Sequence, residues 1–187
     1  MIDIRRSALI GLGLLALVAC GQPAATADAA GAAAPAAQPA EAAQAPAGAD
    51  LRARFTDNAC FARGYDDAHL AAHPRQMLQH FFLAAPGAEW AALNTPEQFH
   101  LGLGFSIRDS TDIFIGVAIC TPRGEGAACG LEGDGGEFTI TPQGARLRLD
   151  IARMELEGQE GFSPNLADSD DRVVLLDRSD FTDCLVD

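Results

Sequence analysis

An all-β fold is what this sequence predicts for residues 50–187: a single antiparallel meander of about seven strands, forming a small barrel or a two-sheet sandwich, with one short N-terminal helix. Three observations carry that expectation. Phe99, Leu101, Leu103, Phe105 and Ile107 alternate with Gln98, His100, Gly102, Gly104, Ser106 and Arg108, a period of two held over a whole strand. Turn chemistry recurs at hairpin spacing in Asp109-Ser110-Thr111-Asp112, Gly133-Asp134-Gly135-Gly136 and Thr141-Pro142-Gln143-Gly144. Helical character is confined to one brief stretch before Pro74.

Taken in order, residues 51–58 read as a polar lead-in. Asp66 or Asp67 then suits a helix N-cap, residues 68–72 propagate barely two turns, and Pro74 stops them. A weaker strand is expected over residues 77–83, ahead of the main one. Beyond the first turn, Ile113, Ile115, Val117 and Ile119 form one face of the next strand. Phe114 and Ala118 fill its other face, so this strand is expected to be central or covered on both sides. A glycine-rich passage over residues 124–130 leads into a short strand near 129–132, followed by strands over 138–141 and 146–157. In the last of these, Leu147, Leu149 and Ile151 share one parity while Met154 and Leu156 take the other. Keeping all five on one face requires one extra residue, which predicts a β-bulge near Ala152 and Arg153. Residues 173–176 supply the closing strand.

Cys60, Cys120, Cys129 and Cys184 make an even set with no Cys-x-x-Cys pair, the mark of a disulfide framework rather than a zinc site. Three connectivities are possible. Position favours Cys60 with Cys184, tying the domain's ends, and Cys120 with Cys129, across a hairpin. On the chain-entropy model the long loop gains about 4–5 kcal/mol and the short one about 3 kcal/mol.

The start of the chain has a different composition. Arg5 and Arg6 precede an apolar run over residues 8–16, and small residues lead up to a cysteine, the order of an export signal. The run is shorter than the roughly 20 residues a membrane span needs. Leu17-Val18-Ala19-Cys20 resembles the lipobox of bacterial lipoproteins. That resemblance implies removal of residues 1–19, lipidation of Cys20 with palmitate or a similar chain, and a lipid-anchored place in the cell envelope. Gly21 after the cysteine implies sorting to the outer membrane. Residues 20–49, rich in Ala and Pro and interrupted by Pro23, Pro35, Pro39 and Pro46, read as a disordered tether with an r.m.s. span of roughly 30 Å.

Charge narrows the partners. The chain carries 13 Arg, no Lys and 26 Asp plus Glu, a formal net charge of −13. Phosphate backbones and anionic headgroups repel such a surface, which argues against nucleic acid and against electrostatic membrane binding. Membrane attachment then falls to the acyl chains, at about 0.8 kcal/mol per buried CH₂.

Candidate chemistry is sparse. His69 and His73 lie four apart on one helical face, but two ligands fall short of the three or four a metal needs, and His69 is not followed by Glu. Glu132, Asp134 and Glu137, and also Asp168, Asp170 and Asp171, lack the calcium-loop spacing and read as solvated acidic turns. No Gly-x-Ser-x-Gly elbow occurs, and no catalytic residue or cofactor is assigned. Gly102 and Gly104 read as sites of strand coiling or close packing.

Cys60-Phe61-Ala62-Arg63-Gly64-Tyr65-Asp66, His69-Leu70 and His73-Pro74-Arg75-Gln76 together resemble a group of small exported proteobacterial proteins of unknown function. So do Cys129-Gly130-Leu131-Glu132-Gly133-Asp134-Gly135-Gly136, and Asp170-Asp171-Arg172-Val173 with a C-terminal cysteine. The resemblance implies that the cysteines belong to the scaffold, and it transfers no active site. The sequence thus supports a tethered, non-catalytic envelope module that binds a protein, a cell-wall component or an apolar ligand. The alternative is a metal-binding protein or enzyme using the His69/His73 face with a carboxylate from elsewhere.

Overall fold

The computed structural model describes residues 49–185. The expected signal, Cys20 and the tether up to residue 48 lie outside the described residues. Eight antiparallel strands follow one another around a closed barrel: β1 (Cys60–Gly64), β2 (Leu78–Ala84), β3 (Phe99–Ile107), β4 (Ile113–Arg123), β5 (Gly126–Leu131), β6 (Gly136–Gln143), β7 (Arg146–Met154) and β8 (Val173–Ser179). Each pairs with the next, and β8 returns to β1 through Cys60↔Ser179, Phe61↔Arg178 and Ala62↔Asp177. The meander is therefore a barrel, not a sandwich, with eight strands instead of about seven.

The strand absent from the sequence reading is β1. Its outward residues are Cys60 and Ala62, which form a small external cluster with Phe82, Ala84 and Cys184, all buried. A short strand covered on both faces shows no polar alternation, so periodicity cannot reveal it.

The inward faces fill the barrel. Phe61, Phe81, Leu83, Phe99, Leu101, Leu103, Phe105, Phe114, Phe138, Ile140, Leu147, Leu149, Val174 and Leu176 are all buried in one cluster. Phe105 lies between Phe81 and Phe114, at ring-centroid distances of 6.1 and 5.2 Å. Cys120 and Cys129, directly opposite across β4 and β5, add a disulfide to this interior. Cys60 bonds Cys184, and these are the two pairs favoured by position in the sequence.

Both barrel ends are closed by short segments. Residues 51–58 are not the polar lead-in expected. Helix α1 (Ala49–Ala53) and the turn after it bury Leu51 and Phe55, and Phe55 meets Phe61 at 5.3 Å between ring centroids. Arg52 donates to the carbonyls of Thr95 and Gln98, and Arg54 to that of Gly144, which fastens the plug to two strand connections, β2–β3 and β6–β7. At the other end α2 (Asp67–Ala72) buries Leu70, and Leu156, Leu166 and Ala167 complete the seal. A third brief helix, α3 (Ala88–Ala91), lies between β2 and β3, so the single helix expected is one of three.

Asp171 also departs from expectation. It is not a solvated turn residue: only 3 % exposed, it accepts hydrogen bonds from the Met77 and Leu78 amides and the Ser169 hydroxyl. A buried carboxylate satisfied by three donors ties the 163–172 loop to the start of β2.

The bulge falls where parity demands it. Glu137 pairs with Arg153 but Phe138 pairs with Ile151, leaving Ala152 as the extra residue. Ala152 and Arg153 are both exposed, while Ile151 and Met154 on either side are both buried. Facing the bulge, Gly136 has φ +118°, and a Cβ there would sit 2.1 Å from the Arg153 carbonyl oxygen. Gly104 is a close-packing glycine of another kind, since a Cβ would lie 2.5 Å from the Phe82 ring.

Two outcomes are expected. Gly136→Ala should lower stability by about 2–3 kcal/mol, read as a reduced urea midpoint, because both backbone conformation and space oppose the methyl group. Replacing Cys60 and Cys184 together with Ser should cost about 4–5 kcal/mol. It should also free the C-terminal turn over Phe82, detectable as faster hydrogen exchange there.

Candidate functional site

Three regions could carry function: the histidine pair, the barrel interior, and the outer face. In the first, the Asp66 carboxylate accepts from the His69 amide at 2.7 Å and caps α2. The Tyr65, His69 and His73 rings stack at successive centroid distances of 4.8 and 4.2 Å, with the Arg63 guanidinium 5.2 Å from the Tyr65 ring centroid. His69 Nε2 donates to Gln76 Oε1 at 2.9 Å, and Gln76, itself buried, donates to the Leu78 carbonyl. His73 Nδ1 donates to the His69 carbonyl at 2.8 Å. Burial pushes the Tyr65 hydroxyl above its ordinary pKa, with Arg63 pulling it down. The histidines therefore present stacked faces and already hold a scaffold bond each, instead of converging two lone pairs on one point. Among the described residues, no group of three or more His, Cys, Asp or Glu is placed to hold a metal ion.

The interior is packed with phenylalanine and leucine, so it offers no lumen for a ligand. Nucleophilic chemistry finds no dyad either. Cys60, Cys120, Cys129 and Cys184 are all in disulfides. The rings of His69, His73 and His100 bond to an amide side chain or a carbonyl, and no described histidine ring bonds a hydroxyl, thiol or carboxylate.

The outer face is different. On β4, Phe114, Ala118 and Cys120 point inward, which leaves Ile113, Ile115, Val117 and Ile119 outward. This strand was expected to be central or covered on both sides; it is central, paired with β3 and β5, and its outward row stays partly exposed. Ile115 is 53 % exposed, and Ile113 and Ile119 are each more than a third exposed. On β3 its cross-strand neighbours are Ser106, Gly104 and Gly102 opposite Ile113, Ile115 and Val117, and His100 opposite Ile119, while on β5 Gly130 stands opposite Ile119. The isoleucines thus stand as a partly exposed ridge, flanked on the β3 side by small residues except at His100. A groove of about 590 Å³ lies along the ridge at the end of β5, lined by Ile115, Val117, Leu156 and Phe162 on its apolar side. Phe162, carried by the 158–162 loop, is 70 % exposed. Glu132, Asp134, Glu155 and Glu157 rim the groove, and Arg153, bonded to Glu155 at 3.4 Å, is the one cation lining it. A second depression of about 390 Å³ continues over Ala128 and Gly130 toward Arg123.

The sequence reading did not select this ridge. The double apolar parity of residues 113–119 was visible, but which parity faces out depends on how the sheet curls. A usable signal was Phe162, a lone large apolar residue in a glycine- and acid-rich loop.

His80, on the outer side of β2, offers a pH handle. Partial burial pushes its imidazole below the ordinary value of 6.5, against an opposing pull from Asp183. The unfolded chain binds that proton more readily, so this contribution to stability is present above pH 6.5 and is lost as pH falls toward the depressed folded pKa. The drop in urea midpoint between pH 7.5 and 5.5 should accordingly be smaller in His80→Gln than in the parent.

The chain matches no protein-family model, no curated protein and no solved structure.

Proposed function

We propose that this chain is an envelope lipoprotein, anchored through Cys20 to the outer membrane, whose barrel serves as a non-catalytic binding module for a protein of the envelope. On this reading it belongs with the small exported proteins that its Cys60–Gln76 motif resembles. The observation that carries the binding role is the uncovered apolar ridge of β4 on a barrel whose interior is already full. Contiguous exposed apolar surface of this kind marks interaction sites on folded domains. Two disulfides suit an exported chain, since they persist in oxidising compartments.

The motif supports the same reading. Asp66 caps a helix, Gln76 bridges His69 to β2, Cys60 staples the C-terminal turn, and Phe61 fills the core. Each of these four holds the scaffold together, which suits a binding module better than an enzyme. The tether read between Cys20 and the barrel would let that module stand off the membrane.

Two measurements on the native envelope test the proposal. Mass spectrometry should find the mature N-terminus at Cys20 carrying acyl chains, and Cys20→Ser should release the protein from the membrane fraction. A photo-crosslinker at Ile119 should capture a protein partner, while one at Leu175, four strands away on β8, should not. An unacylated N-terminus elsewhere would overturn the anchor, and equal capture at both positions would overturn the binding face.

A further inference from the structure

The groove beside Ile115 lies where two paired strands differ in length. β4 has 11 residues and β5 has 6. Their pairing runs from Arg123↔Gly126 to Ala118↔Leu131 and stops there, so Ile113 to Val117 continue past the end of β5. On its other side β4 remains paired with β3 as far as Ile113↔Ser106. One side of β4 is therefore a strand edge about 17 Å long, at about 3.4 Å per residue.

Register says which backbone groups face that edge. The Tyr65 amide donates to the Gln79 carbonyl and the Ala85 amide to the Ala59 carbonyl, which makes the odd-numbered residues of β1 the ones bonded to β2. Hydrogen bonding alternates sides along an antiparallel strand. Even-numbered residues of β2 then bond β3 (Phe82↔Gly104), odd-numbered residues of β3 bond even-numbered residues of β4 (Leu103↔Gly116), and odd-numbered residues of β4 face β5. The Cys120–Cys129 pair agrees, since its Cα atoms are 4.0 Å apart, the close approach of a pair that exchanges no main-chain bonds. Ile115 accordingly aims both its N–H and its C=O past the end of β5. No bond from either group to another loop or turn is present among the described residues.

Resting on the binding-module reading above, we infer that this notch takes an extended, basic segment of a partner protein, which adds as a short strand to β4 at Ile115. Three independent features agree. The main-chain groups of Ile115 supply strand-to-strand bonds, Ile115, Val117 and Phe162 supply apolar contact for alternate side chains, and the acidic rim selects positive charge. Proteins generally blunt such an edge with a charge, a proline or a cover. Here the edge residues are isoleucine and valine, and the carboxylates stand around them. The chain's own residues 20–48 contain Asp28 and Glu41 but no basic residue, so they do not match the rim. A second copy, also at net charge −13, is repelled.

The test uses the full mature chain in detergent and three capped seven-residue probes. One alternates Val with Arg, one alternates Val with Glu, and the third is the Val/Arg peptide N-methylated at every amide. Fluorescence anisotropy should show the Val/Arg peptide binding, with affinity falling as salt rises. The Glu and N-methylated peptides should bind at least roughly tenfold more weakly. Hydrogen exchange should slow over residues 113–117 when the Val/Arg peptide is added. Phe162→Ala and Glu155→Arg, checked for unchanged thermal unfolding, should each weaken binding roughly tenfold. Equal binding of the basic and acidic peptides, undiminished binding of the methylated one, or slowed exchange elsewhere would overturn the inference. Slow exchange of the Ile115 amide itself before any peptide is added would also overturn it: the notch then belongs to residues 20–48 or, where the slowing depends on concentration, to a second copy. Failure of the Val/Arg peptide alongside continued capture at Ile119 would sink strand addition while leaving the binding module standing. Loss of capture at Ile119 with intact peptide binding would do the reverse.

Discussion

Pairing of β1 with β8 is the constraint on which the rest of this molecule depends. Only three residue pairs, Cys60↔Ser179, Phe61↔Arg178 and Ala62↔Asp177, close the sheet on itself. Their number is small for the conformational entropy that closure removes, and the Cys60–Cys184 disulfide reinforces the seam. It draws the C-terminal turn over Phe82 and Ala84, so the first three residues of the shortest strand are buried from both sides. Closing the sheet also assigns a direction to every side chain: one parity of each strand becomes core and the other becomes surface.

With eight strands the interior has room for side chains and little else. Aromatic packing around Phe105, the internal Cys120–Cys129 bridge and the two end plugs use that room. Recognition therefore moves to the outside, and there the strands' unequal lengths matter. Where β5 ends early, β4 keeps its apolar side chains and exposes part of its backbone, beside a loop that presents Phe162. Leu156 exchanges hydrogen bonds with Ser163 at the end of that loop and packs 3.1 Å from where a side chain at Gly116 would begin. A glycine in the wall thus lets a plug residue support the floor of the groove.

The histidine motif illustrates how a pattern suggestive of chemistry can be architecture. Asp66, His69, His73 and Gln76 connect α2 to β2 through a cap, a ring stack and a buried amide. Arg108 strengthens the same corner by donating to the Leu70, Pro74 and Gln76 carbonyls. These contacts satisfy carbonyls at the end of a helix barely two turns long, which would otherwise have little to hold it.

Local patterns in the chain determined most of the scaffold. The alternation over Phe99–Ile107, the turn residues around 109 and 133, the N-cap at Asp66 and the parity switch at Ala152 each depend on neighbours within a few residues, so each was legible one stretch at a time. Thr141, Pro142 and Gln143, expected in a turn, instead continue β6 as far as a turn at Gly144. Tertiary structure alone decided the rest. β1 was hidden because its cover, Cys184, comes 124 residues later. Asp171 became a buried anchor because β2 brings two amides to it. The ridge of Ile113, Ile115 and Ile119 faces outward because closure gave the interior to Phe114 and Ala118. A strand with apolar residues on both parities leaves that choice open, and only the direction of sheet curvature, a property of all eight strands together, can make it.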